Sequence, residues 1–168
     1  LIVINQSAKK NNIDLKKKQK LITFVGKLNK SKGYDLFGNA ILKILNKHKD
    51  WRSIVIGDEP RDQLEFNHKN LIKLGFLKHN DVLDIYKKTS IAVVCSRWDE
   101  PFGRTSLEAS SNACAVIISN RGGLPETITN GVILKNLNIK NVYKEIDNLI
   151  IRSDYRLKLQ KLSKDNFF

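Results

Sequence analysis

Two carboxylates and a guanidinium fall within nine residues, Glu100-Pro-Phe-Gly-Arg-Thr-Ser-Leu-Glu108, and this spacing suits the binding of a polar, partly anionic ligand. The apolar run Ile91-Ala-Val-Val-Cys95 before it has the composition of a strand buried on both faces. Thr105 to Asn112 lacks Pro and Gly and can form a helix. The stretch is therefore a strand-to-helix turn in which Pro101 and Gly103 tighten the backbone at the helix entrance. The first N–H groups of a helix lack partners, and its dipole leaves about half a positive charge there, so the entrance attracts anions. Arg104 adds a full charge. A carboxylate accepts two hydroxyls at once, so Glu100 and Glu108 on either side of this turn fit a ligand whose phosphates are flanked by sugars.

The elements that must position this turn follow from the apolar pattern. Strands are expected at Leu21–Val25, Ser53–Ile56, Leu71–Leu74, Ile91–Cys95, Ala115–Ile118 and Val132–Leu134. A helical stripe begins at Tyr34 and continues through Phe37, Ile41, Ile44 and Leu45. Asn80 or Asp81 is placed to cap a helix carrying Val82, Ile85 and Tyr86. Two more helices carry Val142, Ile146, Leu149 and Ile150, then Tyr155, Leu159 and Leu162. Alternating strands and helices, with strands that do not alternate in polarity, imply an α/β fold: a Rossmann-like, doubly wound parallel sheet of about six strands. Ligands of such sheets bind beyond the carboxyl ends of the strands. Lys27, Lys32, Gly57, Glu100 to Thr105 and Gly122-Gly123 are thus expected on one rim.

With 168 residues the chain fits one domain large enough for a real core. Residues 1–20, with a strand-like Leu1–Ile4 and a polar Asn5–Lys20 stretch, read as an entering segment, and residues 21–168 as the domain. The formal charge of +13 comes from 30 Lys and Arg against 17 Asp and Glu, an excess that suits anionic partners. Lys16, Lys17, Lys18 and Lys20 read as a solvated face of the entering segment, or as a contact for an anionic membrane surface. No apolar run is long enough to span a bilayer and no signal peptide pattern opens the chain, which points to a soluble, cytoplasmic protein. Cys95 and Cys114 sit in or beside apolar runs and are expected as buried, unpaired thiols.

The rim carries no Gly-Lys-Ser/Thr phosphate loop and no Gly-x-Gly-x-x-Gly fingerprint. No Asp-x-Asp pair is present, and His48, His68 and His79 are widely spaced in polar surroundings, so neither a metal nor another cofactor is expected. The charge of a bound diphosphate would have to be met by Lys27, Lys32, Arg104 and the helix entrance.

Five pieces in order, Gly26-Lys27-Leu28 with Lys32-Gly33, Gly57-Asp-Glu-Pro60, Gly75-Phe-Leu77, Glu100-Pro-Phe-Gly103 with Glu108, and Gly122-Gly-Leu-Pro-Glu126, resemble the donor-binding half of retaining group 1 glycosyltransferases of the GT-B fold. The resemblance runs from about Leu21 to Leu134. It implies metal-independent transfer of a sugar from a nucleoside-diphosphate donor such as a UDP- or GDP-sugar, with retention of configuration. By that resemblance Glu108 takes the ribose hydroxyls and Glu100 faces the donor sugar near its anomeric carbon. The amides of Phe102 and Gly103 meet sugar hydroxyls, and those around Arg104 and Thr105 meet the distal phosphate. Lys27 and Lys32 correspond to the cationic pair on the diphosphate, so Glu100, Lys32 and Lys27 are the catalytic candidates. The backbone at Phe76 and Leu77 flanks the base, and Gly26 and Gly57 complete the donor site.

The pattern departs from the family in three ways. Lys27 stands where Arg is commoner, replacing a bidentate fork with a point charge. Ala113-Cys114-Ala115 stands where Gly and Pro usually precede the fifth strand. Only the second of the two GT-B domains is expected here, so the partner that binds the acceptor is an amino-terminal domain absent from this chain, and the chain alone is not expected to transfer. A basic surface of this kind suits peripheral contact with the inner face of a membrane, as in enzymes that build lipids or polysaccharides. Two other readings are a basic nucleic-acid-binding module, which leaves the glutamates unexplained, and half of a nucleotide-sugar epimerase or phosphorylase, against which the Glu100–Glu108 pair argues.

Overall fold

The computed structural model describes residues 12–101, 103–128 and 130–165; the strand-like reading of Leu1–Ile4 and the site assignment of Phe102 lie outside them. Six strands, β1 (Leu21–Val25), β2 (Arg52–Ile56), β3 (Leu71–Gly75), β4 (Ile91–Val94), β5 (Ala115–Ser119) and β6 (Val132–Leu134), form one parallel sheet. Their order is β3-β2-β1-β4-β5-β6. The chain first builds outward from β1 to β3, then returns to add β4 on the other side of β1. That reversal splays the loops after β1 and β4 apart and leaves a crevice between them. Ile22 pairs with Ile91 and Thr23 with Ala92 beneath it.

The helices are α1 (Tyr34–Lys47), α2 (His79–Lys88), α3 (Arg104–Ser111), α4 (Ile139–Ile151) and α5 (Ser153–Asp165). They cover both faces of the sheet, and each central strand divides its side chains between them. On β4, Ile91 and Val93, with Cys95 just beyond, pack with α1 and α4 residues such as Phe37, Ile41, Val142 and Ile146. Ala92 and Val94 face the other way, toward Val82 and Tyr86 of α2 and Ala109 of α3. This two-sided burial is why β4 shows no polar alternation. Full burial of a side chain such as Phe37 or Ile41 contributes about 2 kcal/mol.

Two local expectations change. Neither Asn80 nor Asp81 caps α2; the helix starts earlier, at His79, with Lys78 at the cap and no side-chain cap bond. Asp81 instead lies in the first turn, where its charge favours the helix dipole. Lys18 does not belong to a solvated face. Its ammonium is tucked under the domain, donating to the carbonyls of Tyr86 (2.9 Å) and Asn112 and touching Cys114 Sγ at 3.8 Å. Those carbonyls lie at the C-terminal ends of α2 and α3, where a cation complements the negative end of each helix dipole. Burial pushes the Lys18 pKa down.

Candidate donor-binding site

The β1/β4 crevice holds a depression of about 210 Å³ lined by residues that include Gly26 and Lys32 from the loop after β1, and Ser96, Glu100, Arg104 and Thr105 from the loop after β4 and the start of α3. A larger hollow of about 490 Å³ lies at the other end of the strands, among Asn12, Ile13, Asp14, Lys17, Asp84, Lys87 and Lys88. It gathers none of the rim motifs.

The β1–α1 loop is shaped to deliver Lys32. Asn29 Oδ1 accepts the Lys32 N–H at 3.0 Å, folding the loop back on itself. Gly33 then packs against the β4 end so closely that a Cβ there would lie 2.0 Å from the Cys95 carbonyl oxygen, at a φ of +74°. Only glycine allows that approach. Lys32 Nζ consequently reaches across the crevice and forms an ion pair with Glu100 Oε1. The Ser96 hydroxyl donates to the same oxygen at 3.2 Å.

The backbone of Glu100 is held from a third loop. Gly123 N donates to the Glu100 carbonyl at 2.6 Å, so the Gly-Gly-Leu-Pro-Glu stretch after β5 braces the segment that carries the carboxylate. Gly103 sits in the left-handed region at the cap of α3, and no side chain caps that helix. Arg104 and Thr105, the first residues of α3, line the depression, and the Gly103 cap offers their amides no side-chain partner.

Glu108 is one turn into α3 and almost fully buried. Arg104 Nε donates to its Oε1 at 2.9 Å, and His79 Nδ1 stands 3.5 Å from the same oxygen. Among the described residues both contacts fall on Oε1, leaving Oε2 to accept from a ligand. The Arg104 side chain is 63% exposed and covers this carboxylate from the solvent side. His79 is the residue that sequence reasoning passed over as surface. Its signal was its place two residues beyond Leu77, at the start of α2 just after the segment expected to flank the base. His79 is indeed exposed at the surface, whereas His48 is largely shielded: its Nε2 bonds Asp147 Oδ1 at 2.7 Å between α1 and α4.

The remaining candidates lie farther out. Lys27 is exposed and does not line the depression. Gly57 packs on Gly26, where a Cβ would meet the Gly26 carbonyl oxygen at 1.8 Å, so it sets the spacing of the β1 and β2 loops. Phe76 is exposed on the rim after β3, and Leu77 is half-buried against the α2 side of the core. Cys95 and Cys114 are buried and unpaired, and burial pushes the Cys95 thiol up to about 12, far from a reactive thiolate. No cluster of three or more His, Cys, Asp or Glu residues is placed to hold a metal ion among the described residues.

The family model for group 1 glycosyl transferases matches residues 5–165. The chain belongs to the group 1 glycosyltransferases. It is 32% identical over 163 residues to spore coat protein SA of Bacillus subtilis, covering 87% of this chain and 43% of that protein. It is 31% identical over 121 residues to the lipopolysaccharide core biosynthesis mannosyltransferase LpcC of Rhizobium leguminosarum bv. viciae, covering 66% of this chain and 34% of that one. Among solved structures it superposes on the C-terminal domain of a group 1 family glycosyl transferase (LpcC) from Francisella tularensis with a TM-score of 0.78 at 27% identity. That match covers 95% of this chain and 93% of the other. The glycosyltransferase chain thus spans less than half the length of either relative and nearly all of an isolated C-terminal domain. Its fold is that of one GT-B domain.

Proposed function

We propose that this glycosyltransferase domain binds a nucleoside-diphosphate sugar across the β1/β4 crevice and that the whole enzyme transfers the sugar with retention of configuration and without a metal. The observation that carries this reading is the convergence of Lys32, Glu100 and the uncapped start of α3 on one depression, with the Glu108 carboxylate one turn deeper. Lys32, Arg104 and the α3 amides supply positive charge for a diphosphate. Hydrogen bonds to charged groups contribute roughly 1.5 to 3 kcal/mol each, so a few of them suffice for binding without a divalent ion. As the bond to the sugar breaks, negative charge grows on the departing diphosphate, and fixed cations stabilise that change more than the ground state. Glu108 takes the ribose hydroxyls through Oε2, with Arg104 swinging aside. Glu100 faces the sugar and is released from Lys32 as the phosphate claims that cation. Lys27 serves as a second, outer cation, and the backbone at Phe76 and Leu77 flanks the base.

The acceptor is held mainly by an amino-terminal domain of the same enzyme, so this chain alone binds donor and does not transfer. The enzyme works on the cytoplasmic side, its basic surface resting on an anionic bilayer. Among the described residues no helix is long and apolar enough to cross a membrane.

Calorimetric titration of the chain with UDP, GDP and ADP, beside a short DNA duplex, tests the reading. Micromolar to millimolar binding of one nucleotide with no duplex binding supports it. Duplex binding that falls steeply with salt and ignores nucleotide identity would replace it with nucleic-acid recognition.

A further inference from the structure

The loop that carries Glu100 also carries Trp98, whose side chain is turned out to solvent. The residue is 61% exposed, yet its backbone is tightly held. The Trp98 N–H reaches Ser31 O and Ser96 Oγ, each at 3.2 Å, and Arg97 N donates to the same Ser31 carbonyl at 2.8 Å. The Arg97 guanidinium grips both Asp35 oxygens at 2.7 and 2.8 Å and the Lys30 carbonyl at 2.6 Å. An indole mounted on so constrained a backbone gives up little conformational entropy when a ligand covers it.

Lys30, Ser31, Arg97 and Trp98 line a shallow depression of about 320 Å³. It adjoins the donor depression: Ser31 precedes Lys32 in one loop, and Trp98 lies two residues before Glu100 in the other. Arg97 is committed to Asp35 and the Lys30 carbonyl, so the polar groups it leaves for a ligand are the Lys30 ammonium and the Ser31 hydroxyl. Trp98 is the one apolar side chain among the four. A surface waiting for another protein domain would surround an exposed indole with more apolar contacts. A single aromatic face with a cation and a hydroxyl beside it fits a pyranose ring, whose C–H face lies on the indole while its edge presents hydroxyls or an attached phosphate.

We infer that Trp98, Lys30 and Ser31 form a subsite for a sugar ring of the acceptor, next to the donor sugar. The inference rests on the donor reading above, because it is Glu100 and Lys32 that place the reacting carbon beside this platform. An acceptor hydroxyl has to approach that carbon within about 3 to 3.5 Å, which places the ring bearing it on the adjoining surface.

The two tryptophans of the chain provide the test, since Trp51 is buried and serves as an internal control. Nitrogen-15 NMR of the chain follows both indole N–H signals during titration with the methyl glycosides of glucose, mannose and N-acetylglucosamine and with their 6-phosphates. The subsite predicts that at least one of these sugars shifts the Trp98 signal saturably and leaves Trp51 in place, with matching shifts at the Lys30 and Ser31 amides. Trp98→Ala should weaken those amide shifts by about tenfold or more in apparent affinity. If none of the sugars separates Trp98 from Trp51, or if Trp98→Ala leaves the Lys30 and Ser31 shifts unchanged, the platform is overturned. A parallel titration with UDP and GDP is read at the Gly103 to Thr105 amides. Loss of that response alone removes the donor reading, and loss of the sugar response alone removes the platform.

Discussion

Lys32, in the loop after β1, and Glu100, after β4, form an ion pair across the crevice although 68 residues separate them in the chain. Both are partly shielded from water, Lys32 30% and Glu100 17% exposed, so each holds the other more firmly than a surface pair would. A bound diphosphate has to compete with Glu100 for Lys32. Glu100→Gln should therefore raise the affinity for a nucleoside diphosphate by roughly threefold to tenfold, as titration would read. Unchanged or weaker binding would mean that Lys32 does not meet the phosphates.

The Glu108 carboxylate is buried, and its partners among the described residues are an exposed Arg104 and a half-exposed His79. Glu108→Ala should weaken nucleotide binding by about tenfold or more while shifting the melting temperature by only a few degrees. A large loss of stability with normal affinity would make the carboxylate a structural group.

The Arg97 hydrogen bonds hold the Asp35 carboxyl below its ordinary value, with its own N–H and that of Leu36 assisting and burial opposing. Because the folded-state pKa lies below the unfolded one, the stabilisation is complete above the ordinary carboxylate range and is lost as pH falls through the folded value. Asp35→Asn should lower neutral-pH stability by about 1 kcal/mol, a figure reduced for the solvent exposure of Arg97, and should flatten the acid side of the stability curve. Denaturant unfolding from neutral pH down to about pH 3 measures both effects, and identical curves for the two proteins would contradict the assignment.

Lys18→Ala should cost about 2 kcal/mol, because two charge-assisted hydrogen bonds to helix-end carbonyls are lost in a poorly hydrated place. Lys16→Ala and Lys17→Ala should stay within about 0.5 kcal/mol. Equal, small effects at all three positions, by denaturant unfolding, would return Lys18 to the solvated face of the segment.

The contrast between Lys18 and its neighbours shows what the sequence made legible. β1, β4 and β5 were plain because strands buried on both faces need uninterrupted apolar runs, and the rim motifs were plain because glycines and charges cluster where strands end. Lys16, Lys17 and Lys18 look alike in sequence; only the fold brings carbonyls from α2 and α3 to one of them. The adjacency of β1 and β4, which creates the crevice, is a tertiary fact with no local signature. His79 beside Glu108 and Gly123 braced on the Glu100 carbonyl depend on the same long-range assembly. The cap of α2 slipped because Asn80 and Asp81 are good caps in isolation, whereas the chain leaving β3 turns into the helix two or three residues sooner.

The central claim is that the crevice recognises a diphosphate joined to a ribose, with Lys32 on the phosphate. Calorimetry of the wild-type chain and Lys32→Ala with matched nucleoside and nucleoside diphosphate, both in the presence of a metal chelator, tests it most directly. The account predicts that the wild type prefers the diphosphate by about two orders of magnitude, that the chelator has no effect, and that Lys32→Ala loses most of this preference while binding the nucleoside as before. Equal wild-type affinity for nucleoside and diphosphate, or a preference that survives Lys32→Ala intact, would contradict it.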